Sequence, residues 1–491
     1  MARIAVIGGG ISGLAAAHRL IELAAQHGKN LHVELCEGSP RLGGVIQTER
    51  IEGCIVELGS DSFITNKPAA VELCGRLGLS EHLIATDPAH RQALVLRRGK
   101  PVPIPDGFML MAPSRIWPVL RSPIFSPLGK LRLALERFVP RRTQTGDESV
   151  AAFVRRRLGS EALERLVQPL VAGIYTGDPE KLSLEATLPR FIEMERRYGS
   201  LSRAARQPSD DGEKMRESGP PESGARYGLF AALRDGMSEL VDALVERIES
   251  AGTIHRGVGI RALRPPDVTD SAFTLETSDG RDLAFDLVVV ALPANRAAGL
   301  VASIDAQLSA ALGEIEYASS AIVVTGHREC DIAHPLSASG LVIPAIEGRR
   351  ILSVSFASRK FAGRAPAGQV VLRTFVGGAL QPEFLERTDE ELAHIVRTEL
   401  GDILGVRGEP TFVRVSRHMG SMPQYQVGHR DRVVRINTLL AGHPRLALAG
   451  NAYEGVGIPD CVRSGEDAAE RLFRALTAQT LRSGTPAGPA P

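Results

Sequence analysis

The sequence predicts an α/β fold built around a parallel sheet, and three apolar stretches predict it. RIAVIGGG, from Arg3, precedes ISGLAAAHRLIELAAQHG, so a buried strand leads through a tight turn into an apolar helix. LHVELCEGS is a second strand and completes a strand–helix–strand unit with both strands parallel. FDLVVVALPA, far along the chain, is an unbroken apolar run of the kind that parallel sheets bury. We therefore expect a first domain that is assembled from discontinuous pieces.

Two other regions have a character of their own. Between residues 317 and 420, several strand-like runs predict a separate, mostly antiparallel sheet: AIVVTGHRE, ILSVSFAS, VVLRTFVGG and TFVRVSRH. Residues 203–227 are charged and rich in Gly, Pro and Ser, and the tail 479–491 ends in SGTPAGPAP, so we expect a disordered loop and a flexible tail.

The composition is that of an ordinary globular protein and excludes some functions. The chain has 491 residues, too many for one core, with 43% hydrophobic and 23% charged residues. A net charge of +1 argues against a nucleic-acid binder. The five cysteines and twelve histidines show no CxxC or metal-ligand spacing, so we expect free thiols and no metal site. With no leader and no apolar run of roughly 18 residues, we expect a cytoplasmic protein.

The glycines of the first turn fit a dinucleotide. Gly8, Gly10 and Gly13 form GxGxxG between a strand and a helix. The first glycine permits the turn, the second lets the backbone approach a pyrophosphate, and the third lets the helix pack on the strand. Glu37, at the end of the second strand, is placed to bind a ribose hydroxyl. The predicted contacts at this turn are Gly8, Gly10, Ile11, Ser12, Gly13 and Glu37.

The next residues distinguish a flavin from a nicotinamide. Glu37, Arg41 and the pair Gly43–Gly44 form E-x-x-x-R-x-G-G, which resembles the flavin-binding signature of the amine-oxidase-type flavoenzymes. The resemblance implies that Arg41 neutralises the pyrophosphate of FAD and that the glycines admit the flavin beside the backbone. SMPQYQVGH contains no cysteine, so we expect the FAD to be bound non-covalently there.

A second strand-to-helix junction near the end, AGNAYEGVGIPDCVRSGEDAAERL, matches the element that closes the flavin site in that superfamily. Backbone N–H groups at Val456, Gly457 and Ile458 would stabilise negative charge on the reduced ring. Asn451 stands where many such proteins carry an acid, which leaves that contact open. A further GxGxxG after a strand is absent from the sequence, which disfavours a separate NAD(P)H site and favours O2 as the electron acceptor.

Four stretches resemble one family more closely: ELGSDSFITNK (57–67), RRRLGSEALERLVQPLVAGIYTGDPEKLSLEATLP (155–189), SMPQYQVGH (421–429) and NAYEGVGIPDCVRSG (451–465). Within them, GIYTGDP and MPQYQVGH are the most specific. They are similar to the oxygen-dependent protoporphyrinogen oxidases and coproporphyrinogen III oxidases, and the resemblance runs from about residue 3 to 475 except over 203–226. It implies a discontinuous Rossmann-like FAD-binding domain (1–87, 228–298 and 425–478). It also implies a mixed-sheet substrate domain (88–104 and 299–424) and an α-helical membrane-associating domain (105–202).

The implied activity is the six-electron oxidation of a porphyrinogen to the porphyrin in heme biosynthesis, in three flavin cycles that each yield hydrogen peroxide. The resemblance adds flavin contacts at Gly59, Ser60, Asp61, Ser62 and Ile260. It also implies substrate contacts at Lys67, which would pair with a propionate, at Ile174 and at Gly177. Because flavin N5 accepts the hydride, a protein base is not required. Asp61 is either a proton acceptor or part of a structural salt bridge.

Several alternatives remain open at this point. An amine or polyene oxidase of the same superfamily and a non-catalytic flavin-binding protein are the rival functions. The choice between protoporphyrinogen IX and coproporphyrinogen III depends on further cations for carboxylates, and the candidates are Arg97, Arg98, Arg328, Arg349 and Arg350. A homodimer and hand-off of the product to the next heme-pathway enzyme are further hypotheses.

The segment from Pro101 to Arg142 bears on localisation. It contains the single tryptophan, Trp117, and basic residues at 115, 121, 130, 132, 137, 141 and 142, whereas Glu136 is the one acid between 115 and 142. Helices with basic and apolar faces suit a membrane surface, here the inner face of the cell membrane. An ordinary helical lobe with a solvated basic face is the alternative.

Overall fold

The computed structural model describes residues 1–106, 108–113, 116–205, 229–266 and 272–483. Most of the predicted loop at 203–227 and the last eight residues of the tail, 484–491, lie outside these residues. Helices extend past the predicted starts of both segments: a helical turn continues to Ala204, inside the predicted loop, and the last helix continues to Ser483, inside the predicted tail.

The strands are numbered in chain order: β1 (Ala2–Ile7), β2 (Leu31–Glu37), β3 (Thr48–Ile51), β4 (Cys54–Glu57), β5 (Phe63–Ile64), β6 (Leu83–Ala85), β7 (Ala93–Arg97), β8 (Lys100–Pro103), β9 (Phe108–Met109), β10 (Ala112–Pro113), β11 (Phe230–Leu233), β12 (Thr253–Arg256), β13 (Ile260–Arg264), β14 (Phe273–Thr277), β15 (Asp282–Phe285), β16 (Leu287–Val290), β17 (Tyr317–Arg328), β18 (Gly340–Val342), β19 (Ser353–Phe356), β20 (Gln369–Gly377), β21 (Phe412–Pro423) and β22 (Leu446–Leu448).

The α-helices of the described residues are numbered in the same way: α1 (Ile11–Gln26), α2 (Ala69–Arg76), α3 (Ile116–Arg121), α4 (Pro127–Ala134), α5 (Val150–Arg157), α6 (Ser160–Ala162), α7 (Gln168–Tyr175), α8 (Leu184–Thr187), α9 (Pro189–Tyr198), α10 (Leu201–Ala204), α11 (Ser238–Glu249), α12 (Ala294–Val301), α13 (Ala306–Gly313), α14 (Ala357–Lys360), α15 (Asp389–Leu404), α16 (His429–Ala441) and α17 (Ile458–Ser483).

The first sheet is parallel and discontinuous in sequence, as predicted. Its strand order is β12–β2–β1–β16–β22, and every pair in it is parallel. Side chains of β1 alternate between two cores, since Ile4 and Val6 pack with α1, α11 and α17, whereas Ala5 and Ile7 pack with the β13–β15 hairpins. All five strands therefore end at one edge of a sheet that is buried on both faces.

The second sheet has seven strands in the order β21–β17–β20–β19–β18–β7–β8. Its pairs are antiparallel except for β18 with β7, so the mostly antiparallel sheet predicted from 317–420 is confirmed, and β7 and β8 join it from earlier in the chain. Antiparallel pairing brings the middle of β20 and β21 close to the loop that follows β4.

Helices α3 to α10 form a third body around a core that includes Phe125, Phe153 and Phe191. A fully buried ion pair joins Arg157 to Glu136, and burial is compensated by hydrogen bonds to the Glu136 carboxylate from Ser200 and Ser202. The helical character predicted for this region is confirmed. Across the part of the chain that the structure describes, none of the helices combines the length and the apolarity that crossing a bilayer requires.

Candidate functional site

The turn after β1 assigns a separate role to each glycine of GxGxxG. Gly8 has φ +108°, and a Cβ at this position would lie 2.5 Å from the Ala291 carbonyl oxygen. A Cβ on Gly13 would lie 1.9 Å from the Gly8 carbonyl oxygen, so these two glycines are required by the packing of the turn itself. At Gly10, in contrast, a Cβ would meet no protein atom within 4 Å. Gly10 is thus the position that is open toward a ligand.

Gly10 also caps α1, whose N-terminus has no side-chain cap and no acid in its first turn. The N-terminal N–H groups of a helix attract anions, and the open approach at Gly10 leaves them accessible. These features fit the pyrophosphate of a dinucleotide at Gly10, Ile11 and Ser12.

Glu37 lies at the carboxyl end of β2, beside this turn. The N–H groups of Gly9 and Ser39 donate to its two carboxylate oxygens at 2.7 and 2.8 Å. The N–H of Val258 donates to the Glu37 carbonyl, which places the start of β13, at Ile260, next to the same strand end. The orientation of Glu37 is therefore fixed by backbone groups, and its carboxylate still has lone pairs for a ribose hydroxyl.

Arg41 is engaged differently from the expectation. Its guanidinium donates to the carbonyls of Leu42 at 3.0 Å and Ile46 at 2.8 Å, and also to that of Gly44. These bonds shape the turn at Gly43–Gly44, so the structure gives Arg41 a role in holding the turn. Contact with a pyrophosphate stays a prediction.

The paired glycines bring three backbone segments together. The Gly43 N–H donates to the Gly9 carbonyl at 2.8 Å, and a Cβ on Gly44 would lie 3.2 Å from the Gly10 Cα. A Cβ on Gly59 would lie 1.5 Å from the carbonyl oxygen of Val45, the residue after Gly44. The start of α1, the glycine pair and the loop at Gly59 therefore form one continuous surface.

The loop from Glu57 to Ser62 is bound by the second sheet. Arg373, on β20, contacts the carbonyls of Glu57 and Gly59 and the carboxylate of Asp61. Lys360 donates to both oxygens of Asp61 at 3.1 Å. Burial alone would raise the pKa of Asp61, but Lys360 and Arg373 outweigh burial and hold that pKa well below its usual range. The geometry thus favours the salt-bridge alternative for Asp61 over proton acceptance.

The closing motif begins α17 directly beside α1. A Cβ on Gly465 would lie 2.2 Å from the Ser12 carbonyl oxygen, so the two helices pack backbone to backbone. Val456, Gly457 and Ile458 form the N-terminal end of α17, and the Cys461 N–H donates to the Gly457 carbonyl at 3.0 Å. The first turn of α1 therefore packs on the N-terminal part of α17, and a cofactor held by both helix N-termini stays a prediction.

Tyr425, in the MPQYQVGH stretch, fixes the turn before α17. Its hydroxyl donates to the Asn451 carbonyl at 2.6 Å and accepts from the Gly455 N–H at 2.8 Å. Its ring stacks on His429 with centroids 3.9 Å apart. The side chain of Asn451 donates to the Ser421 carbonyl at 3.0 Å, so this residue, left open by the sequence, has a structural partner.

One of the predicted substrate residues, Lys67, contacts α17 directly. Lys67 forms an ion pair with Asp460, in the first turn of α17. Ile174 is 40% exposed near the end of α7, and a Cβ on Gly177 would lie 2.6 Å from the Gln424 Oε1. A cavity of about 410 Å³ is lined by residues that include Asp178, Lys181 and Gln424.

The candidate arginines have carboxylate partners within the predicted substrate domain: Arg97 and the backbone of Arg98 with Glu347, Arg328 with Asp331, and Arg349 and Arg350 with Glu399. Lys67 is therefore the predicted cation that the structure places at the start of α17.

One group of metal-ligating type comes together among the described residues, although the sequence spacing predicts none. His82, Asp235 and Glu239 offer ligand atoms within 4.8 Å of one another. Asp235 pairs with Arg50 at 2.6 Å and Glu239 with His82, so ion pairs account for the group.

Comparison with known proteins agrees with this geometry. The family model of flavin-containing amine oxidoreductases matches residues 11–473. The chain belongs to this family. Coproporphyrinogen III oxidase of Bacillus subtilis (strain 168) is 34% identical, over 95% of this chain and 96% of the relative. Coproporphyrinogen III oxidase of Staphylococcus aureus is 33% identical, over 96% of this chain and 99% of the relative.

A solved structure assigned as a protoporphyrinogen oxidase, from Exiguobacterium sp. 255-15, has 30% identity and a TM-score of 0.84 and covers 97% of this chain and 99% of its own. The resemblance to the porphyrinogen oxidases is thus confirmed, and family membership supports a flavin cofactor, whereas the residues that hold it stay a prediction.

Three residues of the site were not found from the sequence: Lys360, Arg373 and Tyr425. Lys360 and Arg373 lie in stretches without a motif, and they meet the loop at Glu57–Ser62 only through the fold. Tyr425 lies in a stretch that was recognised, but a tyrosine between polar residues carries no signal of its two backbone partners.

Proposed function

We propose that this protein is a FAD-dependent porphyrinogen oxidase of heme biosynthesis, which converts a porphyrinogen to the porphyrin by removing six electrons. The observation that carries the proposal is that relatives spanning almost the whole chain are named coproporphyrinogen III oxidase. The contact between Gly177 and Gln424 supports it, because it joins GIYTGDP and MPQYQVGH, the two stretches most specific to the resemblance.

Bound flavin supplies a hydride acceptor for a carbon of the macrocycle. The residues of the chain bind and orient the cofactor and the substrate. The N-terminus of α1 and Gly10 bind the pyrophosphate, Glu37 binds the ribose, and the N–H groups of Val456, Gly457 and Ile458 stabilise negative charge at the ring.

The protein supplies no general base in this proposal. Asp61 is paired with Lys360 and Arg373, and a carboxylate with so low a pKa is a poor proton acceptor. Lys67 binds a substrate carboxylate, while Ile174 and Gly177 contact the apolar macrocycle.

We further propose coproporphyrinogen III rather than protoporphyrinogen IX as the substrate. It has four carboxylates instead of two and therefore needs more cations, for which the candidates are Lys67, which pairs with Asp460, and Lys181, which lines the cavity. The names of the two bacterial relatives support the same choice.

Side-by-side kinetics test both proposals. Protein saturated with FAD is given each porphyrinogen, and porphyrin fluorescence is recorded against a flavin-free control. We expect kcat/KM at least tenfold higher with coproporphyrinogen III. Fluorescence no faster than autoxidation with both substrates would reject porphyrinogen oxidation, and turnover of an amine would favour the rival oxidase. An anaerobic flavin band left unbleached by either porphyrinogen would favour the non-catalytic alternative.

Dioxygen is the proposed final acceptor. Six electrons removed two at a time correspond to about three hydrogen peroxide molecules per porphyrin. Peroxide well below this ratio, together with a rate that depends on an added acceptor, would reject dioxygen.

We also propose a peripheral membrane contact through an apolar–basic face of the helical body. This face comprises the exposed side chains of Trp117, Leu128, Leu131, Leu135 and Phe138, which are 44–78% exposed, together with Arg121, Lys130 and Arg137. Exposed apolar groups of this size among cations suit the boundary between lipid headgroups and acyl chains.

A further inference from the structure

Arg373 makes three contacts with one short loop of another part of the chain. Its Nε donates to the Glu57 carbonyl at 2.9 Å, Nη2 donates to the Gly59 carbonyl, and Nη1 lies 2.8 Å from the Asp61 carboxylate. The side chain is 3% exposed. A planar guanidinium that uses all three nitrogens in this way determines both the position and the orientation of the loop.

Lys360 completes this arrangement from α14. Its ammonium donates to both Asp61 oxygens and, at 3.0 Å, to the Ser62 hydroxyl, and it lies 5.4 and 5.1 Å from the ring centroids of Phe230 and Phe361. The side chain is 10% exposed. Both cations belong to the substrate-sheet part of the chain, whereas the loop belongs to the flavin-binding part.

The buried charges of this cluster do not cancel. The cations are Lys360, Arg373 and Arg364, and the acids are Asp61 and Glu57, which lies 3.8 Å from Arg364. Two pairs therefore leave one positive charge in excess. Burial raises the pKa of Glu57 and lowers the pKa of Lys360 and of Arg364, so its effects on the acid and on the cations oppose each other in this count. His418, which contacts the Leu58 carbonyl, adds no charge near neutral pH because burial lowers its pKa.

The loop that these cations bind is continuous with the predicted flavin surface. Gly59 packs on the Val45 carbonyl, and the preceding Gly44 packs on Gly10 at the start of α1. An excess charge here acts on a flavin in a poorly screened interior, where it stabilises the negatively charged reduced ring over the neutral oxidised one.

We propose that Lys360 and Arg373 are positioning residues that fix the Glu57–Ser62 loop against the flavin, and that the net positive charge of the cluster they form with Asp61 makes the flavin a stronger oxidant. The inference rests on the flavin site of the proposed function, but not on the identity of the substrate.

Two single substitutions separate charge from mere packing, because both break the same ion pair. Lys360→Met removes a positive charge, so the flavin midpoint potential becomes more negative and the affinity for sulfite falls at least tenfold. Asp61→Asn removes a negative charge, so the potential becomes more positive and sulfite binds at least as tightly. A purely structural role predicts the same direction for both variants. Midpoint potentials that shift in the same direction in both variants, or that shift in neither variant, would overturn the proposal.

A double variant keeps the test decisive where a single variant loses its flavin. Lys360→Met/Asp61→Asn removes both members of this ion pair, leaves Arg373 with its two carbonyl contacts and keeps the net charge of the parent, so its midpoint potential is expected to match that of the parent. A double variant whose midpoint potential departs clearly from that of the parent would overturn the charge argument. Arg373→Lys keeps the charge but loses the planar fork, and we expect a preserved potential with weaker FAD retention.

The measurements are redox titration and sulfite bleaching of the flavin band, and neither uses a porphyrinogen. If the midpoint potentials of the two single variants shift in opposite directions but the protein does not oxidise porphyrinogens, this inference is supported and the proposed substrate is rejected. A chain that does not bind FAD would reject both.

Discussion

The ammonium of Lys67 lies 2.8 and 2.7 Å from the two carboxylate oxygens of Asp460. Asp460 is 5% exposed and lies in the first turn of α17, whereas the Lys67 side chain is 47% exposed. The cation proposed to bind substrate carboxylates is thus oriented by a buried acid, and it retains an open side toward solvent.

We expect Lys67→Met to raise KM for coproporphyrinogen III at least tenfold, with a smaller effect on kcat. The substitution removes a cation and leaves Asp460 with Arg463, at 3.4 Å, as its remaining cationic partner, so it weakens binding of ground state and transition state together. Steady-state porphyrin fluorescence measures this effect.

The matched control is Lys100→Met, an exposed lysine on β8 that should leave both constants unchanged. The double variant Lys67→Met/Asp460→Asn also removes the repulsion between Asp460 and the substrate. Its KM should therefore lie between that of the parent and that of Lys67→Met. An unchanged KM in Lys67→Met would contradict a role in carboxylate binding.

A pair of glycine substitutions should separate cofactor binding from folding. At Gly10 a Cβ meets no protein atom, so Gly10→Ala is expected to fold with an unaltered apoprotein melting temperature while FAD affinity falls at least tenfold. At Gly13 a Cβ would overlap the Gly8 carbonyl, so Gly13→Ala is expected to lower the melting temperature of the apoprotein itself.

Calorimetry of the apoprotein and a fluorescence titration with FAD measure the two effects. Gly299→Ala, in α12, where a Cβ also meets nothing, is the control that should leave FAD affinity unchanged and should not lower the melting temperature, because alanine is favoured over glycine inside a helix. If Gly10→Ala binds FAD as tightly as the parent, the pyrophosphate does not lie at this turn.

The parts of this site that the sequence predicted are those whose requirements are local. A strand, a tight turn and a helix N-terminus follow one another within GxGxxG, so Gly8, Gly10 and Gly13 could be assigned roles that the backbone geometry then matched. The closing motif was found for the same reason. The discontinuous parallel sheet followed from apolar runs alone.

The parts that could not be predicted depend on contacts between distant residues. Arg373 and Glu57 are separated by 316 positions, and nothing in the sequence around either indicates the other. Arg41 was interpreted through its neighbours as an anion ligand, but the fold supplies three carbonyls that compete for its guanidinium. Asp61 could not be assigned from sequence because both alternatives require only an acid near the flavin.

Stability should depend on pH through His327, which is 2% exposed. Burial lowers the pKa of His327 from 6.5 to about 4, so the unfolded chain binds its proton more readily than the folded one. Stability is therefore lost as pH falls from about 6.5 toward 4, by at most about 1.4 kcal/mol per pH unit.

The measurement is urea denaturation of the parent and of His327→Gln at pH 7.5 and pH 5. Glutamine does not titrate, and its amide can replace the hydrogen bond to the Thr325 hydroxyl. We expect the parent to lose about 2 kcal/mol more than the variant between these two pH values. Equal losses in the two proteins would show that His327 does not contribute.

Membrane contact through the apolar–basic face should depend on two of its most exposed apolar residues. Leu128 and Phe138 are 78% and 67% exposed, and the Arg137 guanidinium lies 4.6 Å from the Phe138 ring centroid, so charge and apolar surface coincide. Burying each side chain in lipid is worth about 1.5–3 kcal/mol, so Leu128→Ser/Phe138→Ser should weaken binding to anionic vesicles at least tenfold. Vesicle co-sedimentation at low and high salt measures this, and binding should fall with salt because the cations contribute.

Val434→Ser provides the control for that experiment, since Val434 is 63% exposed but lies on α16, which is not one of the helices α3 to α10 of the helical body. It removes exposed apolar surface of similar kind and should leave vesicle binding unchanged. If the parent protein stays in the supernatant with anionic vesicles at low salt, the proposal of a membrane contact is wrong. The apolar–basic face is then a solvated surface of the helical body. If Val434→Ser and Leu128→Ser/Phe138→Ser weaken binding equally, the attachment is non-specific, because a site defined by this face requires the loss to be confined to its own residues.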